Sequence, residues 1–234
     1  MSPPEWLRAA IIHEDHAVLA FNKPAGLASQ GGRGQTTDLE SLLAHFADRK
    51  GRQPHLAHRL DADTSGVVVA GKTKAAVAFL NAVFANREAQ KTYLAILCGG
   101  APEPPSGVID LPLAKTRVGH HEMMRVAVGG QSAVTRYETL SAHAAGALVR
   151  LSPETGRMHQ LRAHCAAIGR PIAGDRRYGG LFSLGAQAVP GLMLHAAALT
   201  VPHPDGGVVS FVAPPPRAFA ALAQGLGLVV PTLP

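Results

Sequence analysis

The stretch His58-Arg59-Leu60-Asp61-Ala62-Asp63-Thr64-Ser65-Gly66-Val67-Val68-Val69-Ala70 decides how the rest of the chain is read. Its last part, Val67–Ala70, is a run of apolar, mostly β-branched residues directly after a Thr-Ser-Gly turn, and it predicts a buried strand. Asp61 then lies on a loop entering the core, with a cation two positions before it. A carboxylate there is costly unless it is paired and hydrogen-bonded. Two readings stay open at this point. Asp61 and Asp63 can serve only to satisfy turn backbone, as aspartates often do, or Asp61 can be held in place for chemistry. The choice comes from the remainder of the chain.

Outward from that stretch, composition sets the limits. The chain has 234 residues, 47% hydrophobic and 16% charged, enough to fill a core and too apolar for wholesale disorder. A net charge of +6 and a pI near 9.7 suit a polyanionic partner. The cations, among them Arg52, Arg59, Lys72, Arg87, Lys91, Lys115, Arg125, Arg157, Arg162 and Arg176, recur singly rather than in runs, so a folded surface gathers them. Cys98 and Cys165 read as small core residues and imply no disulfide scaffold. No signal-peptide pattern and no apolar run of membrane-spanning length is present, so a cytoplasmic location is expected.

On the N-terminal side, a short helix is expected around Trp6-Leu7, then a strand over Ala17–Phe21 closed by the turn Asn22-Lys23-Pro24-Ala25-Gly26-Leu27. Gly31-Gly32-Arg33-Gly34 lacks the flanking strand and Lys-Ser/Thr of a phosphate loop and reads as a flexible loop. Thr37-Asp38 can cap a helix with apolar positions Leu39, Leu42, Leu43 and Phe46. On the C-terminal side, Thr73 caps a helix whose stripe is Val77, Leu80, Val83 and Phe84, ended by Asn86-Arg87. Strands are expected over Lys91–Cys98, 108–111, 123–128, 132–140 and 147–151, with Gly129-Gly130 turning the chain between 123–128 and 132–140. A helix is expected from Met158 to Ile168, stopped by Gly169 and Pro171. Leu192–Leu199 reads as strand, then a turn at His203–Gly207, a strand over Val208–Val212 and a short helix near Arg217–Leu226. No internal repeat or low-complexity segment is visible.

Several of these segments, taken in order, resemble one family. They are Phe21-Asn22-Lys23-Pro24-Ala25-Gly26, His58–Gly66, Lys91-Thr92-Tyr93-Leu94-Ala95, Thr155-Gly156-Arg157-Met158-His159-Gln160-Leu161-Arg162-Ala163-His164, Pro171-Ile172-Ala173-Gly174-Asp175 and Leu194-His195-Ala196. Together they look like the RluA-type pseudouridine synthases, over about residues 11 to 215. The resemblance implies an α+β fold: a long mixed, mainly antiparallel bent sheet in two halves flanking a central cleft, with helices packed on it. It implies a single catalytic domain over 1–234. It also implies an isomerase that breaks the C1′–N1 bond of a uridine in tRNA or ribosomal RNA, turns the base, and rejoins it through C5.

By the same resemblance Asp61 is the catalytic aspartate, and Tyr93 is the active-site tyrosine that packs on the target base. Arg162 is the cation paired with the aspartate, with Arg157 the lesser candidate. Leu194 is the apolar residue on the other face of the base, and Arg59 fills the gap left by the extruded nucleotide. His58, Thr64 and His159 complete the expected substrate-binding set, with His58 orienting the Asp61 loop rather than moving protons. The residue chemistry agrees with these roles. A base inside structured RNA must leave its stack before its reacting atoms can be reached, and it then needs a face to stack on. Base–aromatic stacking is worth ~1–3 kcal/mol. Asp61 must be ionised to act as a nucleophile, and burial disfavours charge, so a fixed arginine is what such a site requires. The rearrangement is redox-neutral and cleaves no phosphate, so no metal and no cofactor is expected.

The chain departs from the family pattern in two places. Gly130-Gln131-Ser132-Ala133 stand where a lysine often follows the glycine. The first strand also begins near residue 17, so no N-terminal RNA-binding domain is expected. Two other function classes bear weighing. One is a catalytically silent RNA-binding or assembly protein on the same fold, which intact Asp61, Tyr93 and Arg162 argue against. The other is a metal-dependent hydrolase using the twelve histidines. His159 and His164 lie on different helix faces and His120-His121 diverge, so no spaced ligand set exists for it. The expected partner is RNA, with no membrane, and no heptad seam or apolar stripe calls for more than a monomer.

Overall fold

The computed structural model describes residues 2–31, 37–119 and 121–233, the side chain of His121 excepted. Most of the Gly31–Gly34 loop, His120 and the side chain of His121 therefore lie outside the described residues. The chain divides into two compact units. The first runs to Gln90 and takes in Ala196–Pro215, and the second comprises Lys91–His195 and Pro216–Leu233.

The first unit opens with α1 (Glu5–Ala9), β1 (Ile11–Glu14) and β2 (Val18–Lys23). It continues with α2 (Leu39–Leu42), a 3-10 turn (Leu43–Phe46), β3 (His55–Leu56), β4 (Ser65–Gly71) and α3 (Lys74–Ala85). The second unit holds β5 (Gln90–Cys98), β6 (Ser106–Asp110), β7 (Leu113–Val118), β8 (His121–Val126), β9 (Val134–His143), β10 (Gly146–Pro153), α4 (Gln160–Ala167), β11 (Ser183–Leu184) and β12 (Gln187–Ala188). Strand β13 (Leu194–Pro202) carries the chain back into the first unit, which adds β14 (Val208–Val212), and α5 (Arg217–Gly225) belongs to the second.

In the first unit the strand order is β1-β2-β4-β13, with β14 on β13 and β3 on β4. Strand β4 is buried at every position, which explains its unbroken apolar run: with both faces covered, no polar alternation is needed. Val67 and Val69 face a cluster with Ala76, Leu80 and Val83 of α3 and with Leu199, Val201 and Phe211. On β2, Phe21 sits opposite Val68 in the antiparallel register and meets Phe46 edge-on, 5.7 Å between centroids. Capping follows the sequence: Thr73 accepts from the Ala76 N–H at 3.1 Å, and Asp38 from the Ser41 N–H at 2.9 Å. Gly66 has φ +115°, and a Cβ there would lie 2.1 Å from the Ala196 carbonyl oxygen, so only glycine lets the turn enter β4.

The second unit carries the order β5-β10-β9-β6, with β7–β8 and β11–β12 as separate two-stranded sheets. Antiparallel pairing prevails in both units, as in β2–β4, β5–β10 and β9–β10, so the expected α+β class holds. Two details correct the expected strand plan. Strand β7 was not expected, because Leu113–Val118 mixes Lys115, Thr116 and Arg117 into a weak alternation. The Gly129-Gly130 turn does not join two paired strands either: β8 pairs with β7, while β9 pairs with β6 and β10. Gln131 and Leu113 exchange two backbone hydrogen bonds at 2.9 and 2.8 Å, and a Cβ on Gly130 would lie 2.7 Å from the Leu113 carbonyl carbon. The turn is thus docked on the start of β7.

Candidate active site

In the first unit, the Asp61 loop is clamped on both sides of Asp61 through backbone. On one side, the Ser29 hydroxyl donates to the Leu60 carbonyl at 2.8 Å and accepts from the Leu60 N–H at 3.0 Å. On the other, the Ala62 carbonyl accepts from the Gly26 N–H at 2.8 Å and from Lys23 Nζ at 3.1 Å. The Thr64 N–H closes the turn onto the Asp61 carbonyl at 3.1 Å. Asp61 is half-buried, Asp63 exposed and Thr64 buried. His58 accepts from the Val69 N–H at Nε2 (3.2 Å) and stacks on Phe84, centroids 4.5 Å apart, so its ring is fixed against β4 and α3. Arg59 is exposed and donates to Gln30 Oε1 at 3.3 Å.

Lys23 is the residue that sequence reasoning passed over. It has 0% exposure, and its ammonium donates to the carbonyls of Pro24 (2.9 Å) and Leu27 (2.7 Å) as well as Ala62. Desolvation lowers its pKa to about 8, partly offset by the nearby charges of Asp61 and Asp63. A buried cation at the base of an aspartate-bearing loop both supports the loop and supplies positive field to it. The signal in the sequence was the lysine at the end of an apolar strand, directly before Pro24.

Linkage makes the stability of the folded chain depend on pH through Lys23. Below about pH 8 Lys23 is charged in folded and unfolded chains alike, and the burial cost is carried in full. Between about 8 and the ordinary 10.5, the folded chain releases the proton first, so stability rises with pH by up to ~3 kcal/mol. Urea denaturation of wild type and Lys23→Met at pH 7.5 and at pH 10 checks this. The difference between the two proteins is expected to shift in favour of wild type at the higher pH, and a pH-independent difference contradicts it.

In the second unit, Tyr93 is half-buried on β5, opposite Leu151 of β10, and Leu194 is buried at the start of β13. Arg162, on α4, is only 4% exposed. Its Nε donates to Asp175 Oδ2 at 2.7 Å and its Nη2 to Asp175 Oδ1 at 2.8 Å, a two-pronged buried pair. Asp175 Oδ1 also accepts from the N–H groups of Arg177 (3.0 Å) and Tyr178 (3.2 Å). The Tyr178 ring lies under the guanidinium, 5.1 Å away, and its hydroxyl accepts from the Met124 N–H at 2.8 Å and lies 3.1 Å from His159 Nδ1. Asp175 and Tyr178 therefore hold Arg162 in place, which sequence spacing did not reveal because neither stands at helical spacing from it.

Helix α4 starts at Gln160 rather than Met158, because His159 is left-handed at φ +50°. The Gln160 side chain replaces an ordinary cap. Its Oε1 accepts from the Thr155 hydroxyl (2.7 Å) and the Arg157 N–H (3.0 Å), and its Nε2 donates to the Val134 carbonyl (2.9 Å) and Thr135 Oγ1 (3.0 Å). His164 Nε2 faces the Leu111 carbonyl at 3.0 Å, which can only accept, so that nitrogen carries the proton; Thr135 then donates to Nδ1 at 2.9 Å. Burial lowers the His164 pKa and keeps the ring neutral. Arg157 Nε donates to the Ser132 carbonyl at 3.0 Å, which ties it to the strand start. The two free cysteines are buried, and burial pushes the Cys165 thiol up to about 12. Among the described residues no cluster of metal ligands occurs, and no helix is long and apolar enough to cross a membrane.

Comparison with known proteins bears directly on this geometry. The model of the family described as RNA pseudouridylate synthase matches residues 17–167, which span the Lys23 and Asp61 loops, β5 and all of α4. The chain belongs to that family. The match extends to its RluA-type members: the Dual-specificity RNA pseudouridine synthase RluA of Escherichia coli K12 is 39% identical over 216 residues, 91% of this chain and 96% of the relative. The Uncharacterized RNA pseudouridine synthase YhcT of Bacillus subtilis is 37% identical over 206 residues, and the alignment covers 66% of its length. Among solved structures, human RNA Pseudouridylate Synthase Domain Containing 4 superimposes with a TM-score of 0.82 at 29% identity, covering 97% of both chains. This RluA-type synthase is thus an RNA-modifying isomerase by family, on the pseudouridine synthase fold.

Proposed function

We propose that this chain isomerises specific uridines of tRNA or ribosomal RNA, with Asp61 as the nucleophile and the target base drawn out of its stack. The observation that supports this best is the backbone clamp around Asp61. Ser29 on one side and Lys23 with Gly26 on the other hold both neighbouring residues, which fixes where the loop carries the Asp61 side chain. Tyr93 and Leu194 supply the apolar faces for the uracil, Arg162 the fixed cation, and Arg59 the side chain that takes the place of the departed nucleotide. His58 and Thr64 order the loop. Arg157 and His159 sit at the start of the helix that carries Arg162. The reaction needs neither metal nor nucleotide cofactor on this scheme, and the chain is proposed to work as a single catalytic domain, as a monomer in the cytoplasm.

The test is release of tritium from RNA labelled at uridine C5, using unmodified bulk tRNA and ribosomal RNA transcripts as separate pools. Stoichiometric release from a subset of uridines in one pool is the expected result. Tight RNA binding with no release from either pool would replace the proposal with a silent RNA-binding role.

A further inference from the structure

The carboxylate of Asp175 faces two ways. Its oxygens hold Arg162, and the same carboxylate fixes the backbone of Arg177 and Tyr178. The loop beyond is pinned as well: the Gly180 N–H donates to the Asp175 carbonyl at 2.8 Å, and the Gly174 N–H to the Leu181 carbonyl at 2.8 Å. The Leu181 N–H donates to Cys98 Sγ at 3.3 Å, and the Val189 N–H to the Phe182 carbonyl at 2.9 Å. Yet the side chains on this pinned backbone are turned outward. Arg176 and Arg177 are exposed, Leu181 is 53% exposed and Phe182 44%. The Arg176 guanidinium lies over the Phe182 ring, 5.4 Å from its centroid.

An ordered, exposed aromatic ring carrying a guanidinium fits a nucleobase. Arginine planes and aromatic rings both stack on bases, and neighbouring cations meet phosphate. Asp175 is buried and bonded to Arg162, and residues 176–204 contain no acid, so the loop itself carries positive charge. Because the backbone is already fixed, little ordering cost remains when a ligand arrives. We infer that Arg176 and Phe182 form a stacking platform for an unpaired nucleotide of the substrate RNA flanking the target uridine, with Arg177 on the adjoining phosphate. The inference rests on the proposed function and extends it to substrate selection.

The test uses the full chain and whichever RNA pool supports tritium release. For Arg176→Ala/Phe182→Ala, KM and Kd for that pool are expected to rise about 5- to 150-fold, with the loss falling on KM rather than kcat. Phe182→Trp is expected to restore most of the affinity, because any flat aromatic ring stacks. The Phe182 contribution should persist at high salt, while that of Arg177→Ala fades. Turnover by wild type with the double variant's Kd within twofold overturns the platform and leaves the enzymatic assignment standing. A loss that Phe182→Trp does not relieve overturns it too. Absence of turnover on both pools removes the function itself, and the platform with it.

Discussion

Asp61→Asn is expected to lower pseudouridine formation by on the order of a thousandfold or more, with RNA affinity nearly unchanged and a modest loss of folding stability, because the Asp61 charge partly offsets the burial of Lys23. The reason lies in how the loop is held. Ser29, Gly26, Lys23 and Thr64 all bind backbone groups of residues 60 to 62. An amide in place of the carboxylate therefore leaves the backbone clamp intact while removing the negative charge. The measurement is single-turnover tritium release beside a filter-binding Kd. A variant retaining a tenth or more of wild-type rate would contradict the assignment of Asp61 as nucleophile. Equal losses of binding and rate would instead mean that the charge serves to hold RNA.

Asp175→Ala is expected to cost ~3–5 kcal/mol of stability, because it leaves the Arg162 guanidinium buried without its two-pronged acceptor. Two backbone N–H groups, those of Arg177 and Tyr178, lose their acceptor at the same time. Against the ~5–15 kcal/mol typical of a folded domain, that is a large fraction. Urea denaturation gives the readout, and an unchanged midpoint would contradict the structure. Arg162→Met/Asp175→Leu separates stability from chemistry. Apolar replacement of both partners is expected to recover the part of the loss that comes from the stranded guanidinium, while the Arg177 and Tyr178 N–H groups still lack their acceptor. Pseudouridine formation is not expected to return with it.

Much of this architecture was legible in the residues, and the parts that were not share a cause. Strand β4 announces itself because both faces are buried, and α3 because Thr73, the apolar stripe and Asn86-Arg87 agree with one another. Local signals of that kind carry their own context. Lys23 does not: its burial depends on the Ala62 carbonyl, which arrives from 39 residues away. The pairing of Arg162 with Asp175 spans 13 residues and crosses from helix to loop, so no periodicity marks it. Strand β7 is hidden for a related reason, since its partner is β8 and not the segment beyond the glycine turn. The early start expected for α4 reflects a run from Met158 with no glycine or proline to mark its beginning, whereas the left-handed His159 sets the start at Gln160. The motif that named the family was readable directly; the side chains that brace it were not.

The grip of Asp175 on the loop that follows it has a consequence for how such enzymes can be re-aimed. It seizes main-chain N–H groups, which every residue except proline offers alike, so the identities of the side chains at 176 and 177 are irrelevant to how Arg162 is braced. Those positions, with 181 and 182, make a natural set for randomisation. If the platform inferred above holds, a library built there is expected to shift RNA preference while the Arg162–Asp175 pair stays in place.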